Sequence, residues 1–413
     1  MKMESKQDKA ILWNKDYNRV MFANFALYFS FYLLTPLLPL YLSETFHSSK
    51  DTIGLVLSGY TLVALLMRPF SGFMVDAFSR KKVLLVCLFV YFLFFGGYLV
   101  AGSLLVFAIF RTLHGGPYGA TTVANSTMAI DVLHPSRRNE GIGFYGLSNN
   151  LGSALAPMLG IYIYNYVHDF DLLFWIAFIV AGIGFANTCF VHPHIRQVKR
   201  TGKKISLDRF FLKRGWFLAM TIVFFGFCWG VMSNYLAIYG KEHLGTTNST
   251  GTFFLILSLC LMASRITGRK SLREGRLINN ATIGILLSTV GYFIFIAWPT
   301  TVWGNSTLGE YLGMIGYFAS AVLVGFGNGH MWPAFQNMII SIAHHDERGT
   351  ANSTILTSWD IGLGLGVFVG GTVAEYFGFD TTFWLMAGIH IIGMLSYMLI
   401  VRPCYKSALK SIA

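Results

Sequence analysis

Apolar runs of about 18 residues or more, the length that crosses a bilayer as a helix, recur roughly every 30 residues along the chain. They predict spans near 18–42, 53–76, 83–101, 104–130, 141–166 and 172–192, then near 215–240, 251–268, 278–298, 310–341, 350–375 and 381–402. The runs are continuous and too long for barrel strands, so the expected class is an all-α membrane protein with twelve transmembrane helices. The turns between them are short and polar. The longest, from Trp298 to Glu310, contains Asn305, Ser306 and Thr307 and reads as an insertion, with nothing to support glycosylation.

Composition agrees with this reading. The 413 residues are 54% hydrophobic and 12% charged, against roughly 25% charged in an ordinary soluble domain. The net charge of +12 does not point to nucleic acid, because Lys and Arg gather in alternate turns, as expected of cytoplasmic segments. One set holds Lys2 to Arg19, Arg80 to Lys82, Arg137 and Arg138, the 196–214 stretch, Arg265 to Arg276, Arg348, and Arg402 to Lys410. The other set holds little beyond Lys50 and Lys241. This asymmetry puts both termini in the cytoplasm, in the inner membrane if the source is bacterial. The first helix serves as the membrane signal, since no small-residue cleavage site follows it. Five cysteines, mostly inside apolar runs, supply no disulfide framework.

The long basic stretch inside the chain, His192 to Arg214, divides it into an N-terminal half (1–192), a linker (193–214) and a C-terminal half (215–413). Ile205, Leu207, Phe210, Phe211 and Leu212 form an apolar stripe there, which suits either an inner-leaflet helix or a plain connector. The halves are related by an internal repeat. An offset of 210 lays Gly115 on Gly325, Gly119 on Gly329, Arg138 on Arg348, Gly152 on Gly362, Ala156 on Gly366 and Gly160 on Gly370. It also lays Asn150 on Asp360, exchanging an amide for a carboxylate inside an apolar run. Earlier in each half the offset is 196, aligning Gly72 with Gly268. The longer outside turn before the tenth span accounts for the difference of 14 residues.

The turn after the second span, Gly72, Asp76, Arg80 and Lys81, returns in the second half as Gly268, Arg273, Gly275 and Arg276. With six plus six spans and a basic central stretch, these motifs resemble the major facilitator superfamily over essentially the whole chain. Ala77 and Ser79 depart from that family's signature turn, and Leu272 replaces the Asp in the second copy. The resemblance implies two pseudo-symmetric six-helix halves and a substrate path between them. Asp76, at a helix end, can pair with Arg80, Lys81 or Arg348 as a latch between halves. The alternative is that the basic residues only set topology. In the fifth span, Gly143, Gly152, Ala156, Pro157 and Gly160 resemble the family's antiporter motif, in which small residues thin the helix and a Pro bends it. Ala156 and Ile161 stand where Gly is usual. This favours an exporter.

Ionisable residues inside a span are costly, and each is a functional candidate. Asp360 is a candidate proton carrier, or the acid of a permanent ion pair. Arg111, followed by His114, resembles the family's fourth-helix motif; its fixed charge can bias a neighbouring titration, or it packs helices. Glu140 and Asp131, near the cytoplasmic ends, read as turn or gate residues. By resemblance, spans one, four, seven and ten line the cavity. They offer Asn24, Tyr28, Tyr32, Tyr118, Asn234, Tyr235, Asn328, His330, Trp332 and Gln336. Such an aromatic, amide-rich lining suits amphipathic or neutral molecules.

No HExxH, CxxC, phosphate-binding loop or GxSxG context is present. The expectation is therefore a monomeric, proton-gradient-driven secondary transporter without metal or cofactor, exporting small organic molecules. The rivals are a proton symporter importing a sugar, nucleoside or organic anion and, from another class, a transporter-like sensor or a membrane-embedded enzyme.

Overall fold

A computed structural model describes the backbone of residues 11–134, 137–192, 211–244, 248–297, 307–343 and 348–412. The side chains at Gly72, Asp76, Arg138, Glu140, Gly143, Arg273 and Arg348 lie outside the described residues, as do Ile205, Leu207, Phe210 and the Trp298 turn as far as Ser306.

The first span is bent. Helix Lys15–Leu34 gives way at Thr35 and Pro36 to Leu38–Phe46, turning by 42°. Proline removes a backbone donor, and the Thr35 hydroxyl donates to Phe31 O at 2.9 Å beside the gap. Spans two to six are Lys50–Ala77, Arg80–Leu99, Leu104–Asp131, Arg138–Val167 and Phe170–Cys189. Spans seven to ten are Trp216–Leu244, Asn248–Arg273, Leu277–Ala297 and Thr307–Ser341. The helical stretch Arg348–Ser396 holds spans eleven and twelve, because Gly378 breaks it with φ +83°. A turn of π-helix, Tyr397–Val401, joins the last span to the short helix Arg402–Ile412.

Among the described residues, seven helices are long and apolar enough to cross a membrane, eight with the bent first pair counted as one. The 61-residue stretch Thr350–Lys410 counts once there, although it contains both of the last spans. The end of the bundle bearing Arg80, Lys81 and Arg276 is termed the basic face below, and the opposite end the far face.

Lipid tails are as apolar as leucine, so burying apolar surface does little to bring helices together, and small residues do it by letting backbones touch. The repeat register recurs in three dimensions as such contacts. A Cβ at Gly115 would overlap the Tyr60 carbonyl of span two, and one at its counterpart Gly325 would overlap the Leu257 carbonyl of span eight. A Cβ at Gly160 would strike Leu33 in span one. Those at Gly362 and Gly366 would strike Val223 and Phe227 in span seven. Span four thus rides on two, ten on eight, five on one and eleven on seven.

Two clusters of buried apolar side chains result. One runs from Tyr41, Phe107 and Ile161 of the first half into Val231, Tyr235 and Phe254 of the second. The other, with Phe217, Phe335 and Tyr397, lies within the second half toward the basic face.

Gly366→Leu overpacks the contact of spans eleven and seven and is expected to cost about 1–3 kcal/mol, read as a lower thermal midpoint in detergent. Gly388→Ala, whose Cβ would meet nothing within 4 Å, should leave that midpoint unchanged.

Candidate functional site

The one ion pair among the described residues that lies deep in the spans joins the two halves. Arg68 Nη2 of span two meets Asp360 Oδ2 of span eleven at 2.5 Å, with side chains 10% and 17% exposed. Asp360 is 12 residues into its helix, about 18 Å from the basic end at roughly 1.5 Å per residue. Each charge offsets the cost of placing the other there, so loss of one strands its partner.

An aromatic wall from the first half stands beside the pair. Tyr28 stacks on Tyr32 at 6.3 Å and meets Tyr118 edge-on at 6.2 Å. Phe31 stacks on Tyr118 at 4.9 Å and on Tyr60 at 5.2 Å. Asp360 is within electrostatic reach of Tyr28, Tyr32 and Tyr118. From the second half, Trp359 packs against Trp332 at 4.8 Å and Trp229 at 6.4 Å.

Arg111 and His114 form a separate centre within the first half. The Arg111 guanidinium lies 4.1 Å over the Tyr60 ring and 5.5 Å over Phe31, and donates to the Tyr98 hydroxyl at 3.3 Å. That hydroxyl also meets His114 Nδ1 at 2.7 Å, while Tyr91 and Phe95 enclose the imidazole. The cation is held by ring faces. Of the three coupling candidates, two share Tyr98 and the third stands apart with Arg68.

Several of the expected lining residues make hydrogen bonds within and between helices. Asn24 is fully buried, donates to Ser148 Oγ at 2.9 Å and accepts from Asn125, joining spans one, five and four. Tyr235 is buried with its hydroxyl donating to Val367 O at 2.5 Å, between spans seven and eleven. His330 meets Thr267 Oγ1 at 3.1 Å and the carbonyl of Phe326, and its own carbonyl accepts from Asn280. Asn234 donates to Gly230 O one turn back. Asn328 is buried beside the Tyr292 hydroxyl, and Gln336 is half-buried.

In the first motif turn, Arg80 Nη1 donates to Asp131 Oδ1 at 2.5 Å, within the same half. Lys81 is half-buried at the start of span three. Arg276 pairs with Glu274 at 2.5 Å, and Gly268 packs near Asn280 and His330. In the fifth span Gly152 and Gly160 face span one, and Ala156 is fully buried. The described small residues of the stripe thus make a contact inside the first half, and among the described residues of that motif Pro157 borders the void between the halves. That void, of about 20 Å³, is also lined by Tyr32, Ser153, Trp229, Ser233 and Ser258.

Toward the far face two clasps close the halves over it. Lys241 of span seven donates to the Glu44 carboxylate and, at 3.0 Å, to the Tyr164 hydroxyl, which donates to Glu44 Oε2 at 2.8 Å. The next residue, Glu242, takes Lys50 Nζ at 2.9 Å, and the Lys50 backbone N–H donates to Glu375 Oε2 at 2.6 Å. Tyr162 and Thr252 hydroxyls add a contact at 2.9 Å between spans five and eight.

The sequence is similar to known membrane carriers over its whole length. The family model described as Major Facilitator Superfamily matches residues 20–319 and 308–411. The chain belongs to the major facilitator superfamily. A staphylopine export protein of Staphylococcus aureus is 22% identical over 87% of this chain and 90% of its own. The multidrug resistance protein MdtG of Dickeya zeae is 24% identical over 90% and 91%. Among solved structures, the human organic anion transporter MFSD10 superposes with a TM-score of 0.69 at 17% identity, covering 92% of this chain and 98% of that one. The nucleoside transporter NupG gives 0.71 at 15% identity, covering 92% and 98%. At these identities the superpositions speak for the facilitator fold.

Sequence reasoning missed Arg68, Glu44 and the Lys241–Glu242 dyad. Arg68 was open to the rule that singled out Asp360, since it interrupts the second apolar run next to Pro69. The clasps carry no such signal, because a charge at a span end is ordinary until its partner across the halves is known.

Exposed ion pairs are each worth about 0.2–1 kcal/mol and weaken in salt. Lys241→Glu is expected to raise far-face thiol labelling of a Ser233→Cys reporter roughly two- to fivefold. The swap Lys241→Glu with Glu44→Lys should restore protection.

Proposed function

We propose that this facilitator works by alternating access as a proton-coupled exporter of small, amphipathic organic molecules, with the basic face in the cytoplasm. The observation that carries the reading is the Arg68–Asp360 pair, a carboxylate deep in the spans held by a cation of the opposite half. A proton on Asp360 removes one of the two charges. The seam between spans two and eleven then loses its strongest polar contact and can take another register. A proton entering from the far side and leaving to the cytoplasm thus couples to movement of the halves. With the far clasps closed, the conformation fits the cytoplasm-facing stage. The aromatic wall offers flat apolar surface and hydroxyls to a substrate body. Export rather than import is supported by relatives named for staphylopine export and multidrug resistance.

The test begins with a thermal-shift screen of the purified chain against aromatic acids, sugars, nucleosides and drugs, which supplies a compound for reconstitution. Asp360→Asn should abolish concentration of that compound by an imposed pH gradient while leaving counterflow exchange and the thermal shift in place. Proton-driven flux equal to wild type would remove Asp360 from coupling. Accumulation only under the gradient of a symporter would reverse the direction.

A further inference from the structure

Among the described residues, four charged side chains stand about two helical turns or more from a span end: Arg68, Arg111, Arg265 and Asp360. Three are cations and one is an anion. Arg68 has Asp360, and Arg111 has the rings of Tyr60 and Phe31 with the Tyr98 hydroxyl. Arg265 of span eight has no carboxylate, hydrogen-bond acceptor or aromatic ring face among the described residues; its Nε is buried without a partner, as are those of Arg68 and Arg111. A guanidinium in that state carries an uncompensated desolvation cost. A structural role does not account for it.

Helical register places it. Ser258 lines the void between the halves, and Arg265 lies seven residues on, two turns toward the basic face on the same side of the helix. The lipid side of span eight is marked by Leu259 and Ile266, 54% and 80% exposed. Its contact with span ten runs through Leu257, Leu261 and Ser264, against Gly325 and Gly329. Arg265 therefore projects along the stripe that descends from the void between the halves, below the aromatic wall.

We propose that Arg265 is an anion-recognising residue of the transport cavity, and that the molecules carried are organic acids with an aromatic or apolar body. The acid group supplies the partner the protein withholds, as a charge-assisted and where possible bidentate contact, while Tyr28, Tyr32, Tyr118 and the tryptophans take the body. This deepens the exporter reading and rests on its cavity lying between the halves.

The experiment reads binding rather than flux, so it stands apart from proton coupling. Full-length protein in detergent is titrated with 2-naphthoate and with neutral 2-naphthamide, using quenching of intrinsic tryptophan fluorescence. Naphthoate should bind about tenfold more tightly than the amide at low salt, the scale of one charge-assisted contact, and that preference should shrink in salt. Arg265→Gln should abolish the preference with amide affinity unchanged and the thermal midpoint no lower than wild type, and Arg265→Lys should keep part of it. Equal binding of acid and amide by wild type, or an undiminished preference in Arg265→Gln, overturns the assignment. Stabilisation by phosphatidylglycerol in place of naphthoate, lost in Arg265→Gln, would assign the residue to a lipid headgroup and equally overturn it. None of these outcomes touches the Asp360→Asn result, which decides coupling alone.

Discussion

Everything in this bundle depends on backbones being allowed to touch. In hydrocarbon there is little to gain by hiding a leucine from solvent, so helices hold through dispersion and weak polar contacts that work only at short range. The glycines at 115, 160, 325, 362 and 366 set those ranges, each where a Cβ would overlap a neighbouring carbonyl. The pairing they impose, four on two and five on one, then ten on eight and eleven on seven, makes one half a copy of the other.

Close packing also explains what the polar groups do. Where helices touch through glycine, side chains on that face serve as ties, as Asn24 and Tyr235 do. Away from those contacts aromatic rings stack on one another, as with Tyr28 and Trp359, and the Arg68–Asp360 pair bridges the seam of spans two and eleven. The divergence of Asn150 and Asp360 at one repeat position follows the same division. The scaffold demands the glycines around that position and leaves the position itself open to chemistry.

The spans, the division into six and six, and the repeat were legible because each rests on periodic, local information: apolar runs of fixed length, basic turns on alternate sides, glycines at constant offset. Partners were not legible. Asp360 stood out by its cost, but that Arg68 answers it depends on how spans two and eleven meet, which no local pattern encodes. The fifth-span stripe, expected to thin the helix for a close crossing while Pro157 bends it, lies against span one at Gly152 and Gly160, and Pro157 borders the void. For His330 the sequence left the partner open, because a polar residue on the tenth span has two candidate faces. The hydroxyl of Thr267 on a neighbouring span decides between them.

The neighbouring residues Lys241 and Glu242 carry a mechanical implication. One grips an acid of the first half and the other a base of it, at different seams, yet both ride on the last turn of a single stiff helix. A roll of that helix that withdraws one must displace the other, so the far door has a single bolt thrown in two directions. A half-open vestibule, with one seam parted and its neighbour shut, would strain that turn. The two clasps bound that strain at roughly 0.2–1 kcal/mol each, so the dyad biases the two seams to part together rather than one at a time.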